Sequence, residues 1–173
     1  MIAHTFLLDF FTMQESQARY SGEFALTKSG SVDFGEISPE IAKTIKRQAG
    51  KIRLRIGVQV EGEKGNYGER HIERPERIAA LKKCGYENAR DFIEDICSSY
   101  EEIYQGQNGS LILVKSYLEK NHVAIVKLMP SLDGDFYDVQ TGYPSRKSGH
   151  IKKPLLWKNQ QQRLSQIETG AVR

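Results

Sequence analysis

Apolar residues follow a helical period in the first part of the chain. Ser38-Pro39-Glu40 predicts a helix start, because it combines an N-cap residue, a proline suited to the first turn and an early acid. Two further helices are predicted, one after Pro75 and one from about Asn88 to Tyr100, where apolar residues recur every three or four positions. These helices precede most of the strand-like sequence.

From about residue 103 onward the pattern changes to that of β-strands. Strands are predicted at Ile103-Tyr104, Ser110–Tyr117, Val123–Met129 and Phe136–Thr141. Asn108-Gly109 and Asp133-Gly134 are strong hairpin-turn signals between them, and a further turn is predicted at Glu119–His122. The pattern therefore predicts an α+β fold, in which N-terminal helices pack on an antiparallel sheet of about four strands.

A chain of 173 residues has the length of one domain with short ends. Residues 1–37 are predicted to be an N-terminal extension with strand-like pieces at Thr5–Phe11 and Ser31–Ile37. Residues 38–160 are predicted to form the main domain, and residues 161–173 a C-terminal tail.

The composition excludes several classes of protein. With 39% hydrophobic residues the chain is apolar enough to form a core. Two cysteines, Cys84 and Cys97, do not make a disulfide framework, and the four histidines show no zinc-ligand spacing, so no metal or cofactor is expected. No apolar run has the length of a membrane span, so we expect a cytoplasmic protein with no membrane partner.

The net charge of +3 hides an uneven distribution of charge. Two stretches contain six cations each and no acid; they are Lys43, Lys46, Arg47, Lys51, Arg53 and Arg55, and Arg146, Lys147, Lys152, Lys153, Lys158 and Arg163. Converging on one face, they would form a surface that follows phosphates. Two solvated faces with no ligand are the alternative, and the sequence leaves both open.

His71 is the strongest candidate for proton transfer. It follows a glycine-punctuated loop and has Arg70, Arg74 and Arg77 as neighbours in the sequence. An imidazole exchanges protons near neutral pH, and the guanidinium groups would lower its pKa and hold an anionic substrate. The alternative role is a histidine that caps or packs against a helix entry.

Residues 140–147 are the second candidate. Hydroxyl, aromatic and basic side chains follow a predicted strand there, in an exposed turn. Hydroxyl and guanidinium groups suit a phosphodiester, and Tyr143 could stack on a base. An ordinary proline-containing turn is the alternative.

Several short motifs occur in a characteristic order between about Phe34 and Trp157. They include Gly35-Glu36, Lys51-Ile52-Arg53-Leu54, Tyr67-Gly68 before His71-Ile72, Asp133-Gly134, Thr141-Gly142-Tyr143-Pro144 and Leu155-Leu156-Trp157. Together they resemble the barnase/EndoU/colicin/RelE-like nuclease domains of phage-borne and polymorphic-toxin proteins. The resemblance implies a barnase-like fold and a metal-independent endoribonuclease, in which the ribose 2′-hydroxyl attacks the adjacent phosphate and leaves a cyclic phosphate.

The resemblance also implies roles for individual residues. His71 would be the general acid or base, and Arg53 and Lys115 would stabilise the pentavalent phosphate. Thr141, Tyr143 and Ser145 would line the cleavage site, while Arg146 and Lys147 would hold the RNA backbone. Similar domains often carry a second histidine one turn after the first, where this chain has Pro75, so Tyr143, His150 and Glu76 stay open as its replacement.

The implied partners are RNA and a cognate immunity or antitoxin protein. Two other classes of protein fit the same sequence. One is a nucleic-acid-binding module that has lost its catalytic activity. The other is an interaction protein whose acidic segment Glu87–Glu102 docks a basic partner.

Overall fold

The computed structural model describes residues 23–62, 65–117, 120–146 and 152–159. The predicted strand at Thr5–Phe11, the side chain of Arg146, Lys147, His150 and the tail 161–173 lie outside what is described. Within the described ranges, no helix is long and apolar enough to cross a membrane.

Four short helices occur in the described residues. They are α1 (Pro39–Ile45), α2 (Gly68–Ile72), α3 (Pro75–Lys82) and α4 (Ala89–Ser99). The predicted starts of α1 and α4 are confirmed, because the Ser38 hydroxyl accepts a hydrogen bond from the Ile41 amide and the Asn88 side chain accepts one from the Asp91 amide.

Seven described strands form a single mixed sheet. They are β1 (Asp33–Ile37), β2 (Gly50–Arg53), β3 (Glu102–Gln105), β4 (Leu111–Ser116), β5 (Lys120–Met129), β6 (Phe136–Arg146) and β7 (Leu155–Lys158). Their order across the sheet is β1-β2-β6-β5-β4-β3-β7. All neighbours are antiparallel except β2 and β6, which pair in parallel through Ile52 with Tyr137 and Arg53 with Asp138.

The predicted barnase-like fold, with N-terminal helices on an antiparallel sheet of about four strands, is wrong. The structure is a strand-rich, seven-stranded mixed sheet curled into a half-barrel, with four short helices in the described part of the chain. Strands β1, β2 and β7 extend the sheet beyond the four predicted strands, and each is only four or five residues long. The sequence indicated a strand at Ser31–Ile37, where β1 lies, but not that these short strands join one sheet with the later ones.

Strand β6 is longer than predicted. The expected exposed turn after Thr141 is absent over the described residues, because β6 continues through Pro144 to Arg146. Strand β2 pairs with Tyr137 and Asp138 alone, so among the described residues no strand lies along this edge of β6 beyond Asp138. Proline lacks an amide donor and is tolerated along such an edge. Helices α2 and α3 pack beside this part of β6.

The core lies between the curled sheet and α4. Phe92, Ile93, Ile96 and Cys97 of α4 are buried, as their spacing predicted. The helix approaches β1 so closely that a Cβ atom at Gly35 would lie 2.0 Å from the Cys97 carbonyl oxygen. Glycine is therefore required at position 35 for α4 to reach the sheet.

A buried ion pair fixes the chain that leaves β2. The Arg55 guanidinium donates to both carboxylate oxygens of Asp138 on β6, at 3.0 and 2.7 Å, and both residues are almost fully buried. The Arg55 carbonyl accepts from the Glu69 amide at 2.9 Å, in the first turn of α2. This arrangement holds α2, and with it His71, beside β6.

Candidate functional site

His71 lies in the last turn of α2 and is half-buried. Its Nδ1 is 2.7 Å from Oε1 of Gln59. With this carbonyl oxygen as acceptor, Nδ1 carries the proton and Nε2 keeps its lone pair. Burial, followed by the charges of Arg74 and Arg77, lowers the pKa of His71. The neutral imidazole can therefore accept a proton at Nε2 at neutral pH.

Arg77 connects α3 to β6. Its Nη1 donates to Thr141 Oγ1 at 3.0 Å and to the Gly142 carbonyl oxygen at 2.9 Å. The guanidinium also lies over the Tyr143 ring, 4.9 Å from its centroid. Arg77 thus supplies hydrogen bonds to the edge of β6 that β2 leaves unpaired. Thr141 and Tyr143 are therefore in contact with Arg77, one of the two arginines whose charge lowers the pKa of His71.

Arg74 adds a second cation to this surface. It precedes α3, and its Nε lies 2.7 Å from Oε1 of Glu76. The pKa of half-buried Arg77 is lowered by burial and by the charge of Arg74, although a guanidinium stays protonated in proteins. We call His71, Arg74, Arg77, Thr141 and Tyr143 the His71 surface. The two cations outnumber the one carboxylate of Glu76, and this excess of positive charge favours an anionic ligand there.

Ser145 continues the same side of β6. Thr141, Tyr143 and Ser145 alternate along the strand, so their side chains point to one face. Ser145 is half-buried and pairs with Asn121 of β5, while the backbone of Arg146 ends the strand opposite Lys120. The three predicted hydroxyl-bearing residues are therefore aligned, with Thr141 and Tyr143 in contact with Arg77.

Arg53 is held at a different position. Its Nε bonds to Asp33 Oδ1 at 2.7 Å, and its guanidinium lies 5.6 Å from the ring centroids of both Phe24 and Phe136. Phe136 is the first residue of β6, five positions before Thr141. Among the described contacts, Arg53 has no hydrogen bond or ion pair to the His71 surface.

Lys115 belongs to a second polar cluster, which the sequence analysis did not identify. Its Nζ bonds to Asp95 Oδ1 at 2.6 Å. The hydroxyls of Tyr86 and Tyr117 each donate to Asp95 Oδ2 at 2.6 Å, and His122 Nδ1 lies 3.3 Å from the Tyr86 hydroxyl. We call these five residues the Asp95 cluster. It connects α4 to β4 and β5.

The prediction of a turn at Glu119–His122 is wrong from Lys120 onward, because β5 begins there and His122 is a buried residue of that strand. Its ring centroid lies 4.1 Å from that of Tyr117 and 5.1 Å from that of Phe92.

Burial lowers the pKa of His122. Burial also opposes ionisation of Asp95, but hydrogen bonds led by that of Lys115 outweigh it and lower the Asp95 pKa. The Asp95 cluster could have been predicted only from the pairing of Lys115 with His122 across β4 and β5, and that pairing requires the register of the two strands.

Most of the acidic segment is already engaged within the described structure. Asp91 pairs with Lys28, whose amide also donates to Glu94. Asp95 binds Lys115, and Glu102 binds Lys158. The segment therefore offers few carboxylates to an external basic partner.

Within the described ranges, no three His, Cys, Asp or Glu side chains are grouped so that they could hold a metal ion. Comparison with known proteins adds no relative. No protein-family model matches the chain, and neither the curated proteins nor the solved structures contain a significant match.

Proposed function

We propose that this protein is a metal-independent endoribonuclease that cuts RNA at the His71 surface. The observation that carries the proposal is the position of Arg77, which contacts Thr141, Gly142 and Tyr143 and, after burial and Arg74, helps to lower the His71 pKa. Through the Arg77 guanidinium, the arginine-rich segment that contains His71 is thereby in contact with residues 141–143 of β6. The order of motifs that resembles the barnase/EndoU/colicin/RelE-like domains points to the same activity, although the barnase-like fold that it implied is not the fold observed.

The chemistry follows from the protonation states. Nε2 of neutral His71 removes the proton from a ribose 2′-hydroxyl, whose oxygen attacks the adjacent phosphorus. The bond from phosphorus to the 5′-oxygen breaks, and a 2′,3′-cyclic phosphate forms. Arg74 and Arg77 donate to the non-bridging oxygens, where negative charge increases in the transition state. After cleavage, exchange with water removes the proton from the imidazolium and returns one to the residue that protonates the leaving group.

A proton must also reach the leaving 5′-oxygen. We assign this role to the Tyr143 hydroxyl, because Arg77 contacts the Tyr143 ring at the position proposed for the phosphate. Glu76 is engaged by Arg74, which makes it less suited to the task. RNA is thus the proposed substrate in the cytoplasm, and a cognate immunity or antitoxin protein would inhibit the enzyme by covering the His71 surface.

The test is cleavage of a labelled RNA pool in the presence of EDTA. We expect wild-type protein to produce fragments ending in a cyclic phosphate, and His71→Ala to lose at least a hundredfold in rate, the usual contribution of a general base. Arg70→Ala is the matched control, since Arg70 is an exposed residue of the same helix. An RNA with a 2′-deoxyribose at the cleavage position should resist cutting.

Three outcomes would contradict the proposal in different ways. Equal cleavage by His71→Ala would remove His71 from the mechanism. No cleavage by wild-type protein, together with salt-sensitive RNA binding, would favour a binding module without catalysis. Neither cleavage nor RNA binding would favour an interaction protein.

A further inference from the structure

Ion pairs neutralise part of the two acid-free stretches of sequence. Four of the described cations in these stretches have an acidic partner: Lys51 with Glu36, Arg53 with Asp33, Arg55 with Asp138, and Lys158 with Glu102. Three of the pairs join neighbouring strands, and the Arg55–Asp138 pair joins β6 to the residues that follow β2. These four cations therefore stabilise the sheet.

Five other cations of the same stretches are exposed and have no ion pair within the described residues. They are Lys43, Lys46, Arg47, Lys152 and Lys153, which we call the basic end. They come from two segments far apart in the chain, one at the end of α1 and one just before β7. Within the two acid-free stretches, this distinguishes the basic end from the four described cations that have an acidic partner.

Gln105 brings these two segments together. Its side-chain Oε1 accepts a hydrogen bond from Arg47 Nη2 at 2.9 Å. Its backbone amide donates to the carbonyl oxygen of Pro154 at 2.9 Å. Pro154 directly follows Lys152-Lys153 in the sequence. The two acid-free stretches thus meet at the end of β3. A surface that follows phosphates requires such a meeting, whereas two separate solvated faces do not.

The turn after α1 is firmly held. Lys46 adopts a left-handed conformation with φ of 54°, which is unfavourable for lysine and persists here between two anchors. The Arg47 amide bonds to the Ala42 carbonyl on one side. On the other, the Gln48 carbonyl accepts from the Tyr137 hydroxyl at 2.8 Å. The cations of α1 therefore extend from a fixed backbone.

The basic end and the His71 surface lie at different positions along the direction of strand β6. Gln48 is bonded to Tyr137, near the start of β6, whereas Tyr143 is six residues further along the same strand. At a rise of about 3.3 Å per residue, the two positions are separated by roughly 20 Å. A ligand that reaches both must therefore be extended.

We propose that the basic end is an exosite for the backbone of a single-stranded RNA whose cleaved phosphate lies at the His71 surface. The proposal rests on the proposed function for the identity of the substrate. Five exposed cations spread over two segments suit a row of phosphates better than one compact anion, which requires converging donors. Asp135 lies nearby, but its carboxylate accepts from the Gln48 side chain and the Ser131 amide.

The exosite makes RNA binding depend on salt in a measurable way. For single strands, the logarithm of the binding constant falls with the logarithm of salt concentration by about 0.7 for each neutralised phosphate. Replacing Lys43, Lys46, Lys152 and Lys153 with glutamine should therefore reduce the slope by about 2 to 3. Affinity for RNA at low salt should fall at least tenfold.

The experiment uses fluorescence anisotropy with a labelled 20-nucleotide oligouridylate, in proteins that also carry His71→Ala so that RNA stays intact. The matched control removes four other exposed lysines, Lys82, Lys83, Lys120 and Lys127, and thus the same amount of charge. Thermal melting checks that both variants are folded. We expect the control to keep the slope of the parent protein within about one unit.

A cleavage assay with the same variants distinguishes failure of the exosite from failure of the proposed nuclease activity. With His71 intact, loss of the basic end should lower kcat/KM for the 20-mer at least tenfold and leave a dinucleotide substrate unaffected. If no RNA is cut by any variant but the binding difference persists, the exosite stands and the nuclease does not. Equal RNA binding by the test and control variants would overturn the exosite. A loss confined to vesicles containing phosphatidylserine would overturn it as well, in favour of a membrane surface.

Discussion

Arg77 Nη1 and Thr141 Oγ1 are joined by a hydrogen bond of 3.0 Å between α3 and the unpaired edge of β6. The same nitrogen donates to the Gly142 carbonyl, on the edge of β6 where β2, which ends at Arg53, offers no partner. Arg77 therefore stabilises a strand edge and also presents a charge to the proposed phosphate position. Its replacement should affect both stability and cleavage.

Substituting Arg77→Lys should separate these two roles. Lysine keeps the positive charge but not the planar fork that serves Thr141, Gly142 and the Tyr143 ring. We expect a loss of about 1–2 kcal/mol in the free energy of unfolding and at least a tenfold loss in kcat/KM for RNA cleavage. Urea denaturation and single-turnover cleavage measure the two effects. A variant with wild-type cleavage would show that Arg77 acts on the fold alone.

The pH profile of cleavage should reveal the environment of His71. A general base must be neutral, so the rate falls as pH drops through its pKa. Burial and two arginines lower this pKa, so the acidic limb of kcat/KM should lie below about 6.5. Arg74→Met removes one of the cations and should shift the limb to higher pH. A limb that does not move, or moves to lower pH, would exclude His71 as the group that titrates.

The buried pair of Arg55 and Asp138 predicts a difference between single and double substitutions. Asp138→Asn leaves the guanidinium buried without a counter-charge, which costs about 3–5 kcal/mol in the free energy of unfolding. Replacing both residues, as Arg55→Met with Asp138→Leu, removes the unpaired charge and should recover a large part of that loss. Chemical denaturation of the three proteins tests this, and a double variant less stable than Asp138→Asn would contradict it.

Local sequence signals were sufficient where local interactions determine structure. The caps at Ser38 and Asn88 and the buried face of α4 are of this kind. The half-barrel depends instead on the parallel pairing of Ile52 with Tyr137, between segments far apart in the chain, which no local pattern encodes. Recognising that β6 continues beyond Thr141 required knowing that its edge is covered by helices rather than by a strand.

The same distinction applies to the candidate site. His71 and its neighbouring arginines could be found from the sequence because they are close together in it. The contact of Arg77 with Tyr143 depends on how α3 packs against β6. The Asp95 cluster depends on the register that sets Lys115 opposite His122, so its residues appeared unrelated in the sequence.

The Asp95 cluster makes stability depend on pH through His122. Burial lowers the pKa of His122, and its charged neighbours are Asp95, Lys115 and Lys120. In the unfolded chain the imidazole gains a proton as pH falls below about 6.5, whereas in the folded protein it stays neutral to lower pH, so stability is lost from pH 7 towards pH 5. His122→Phe keeps an aromatic ring against Tyr117 and cannot titrate. We expect it to reduce the slope of unfolding free energy by up to about 1 kcal/mol per pH unit in this range. Parallel curves for the two proteins would show that His122 is protonated equally in both states.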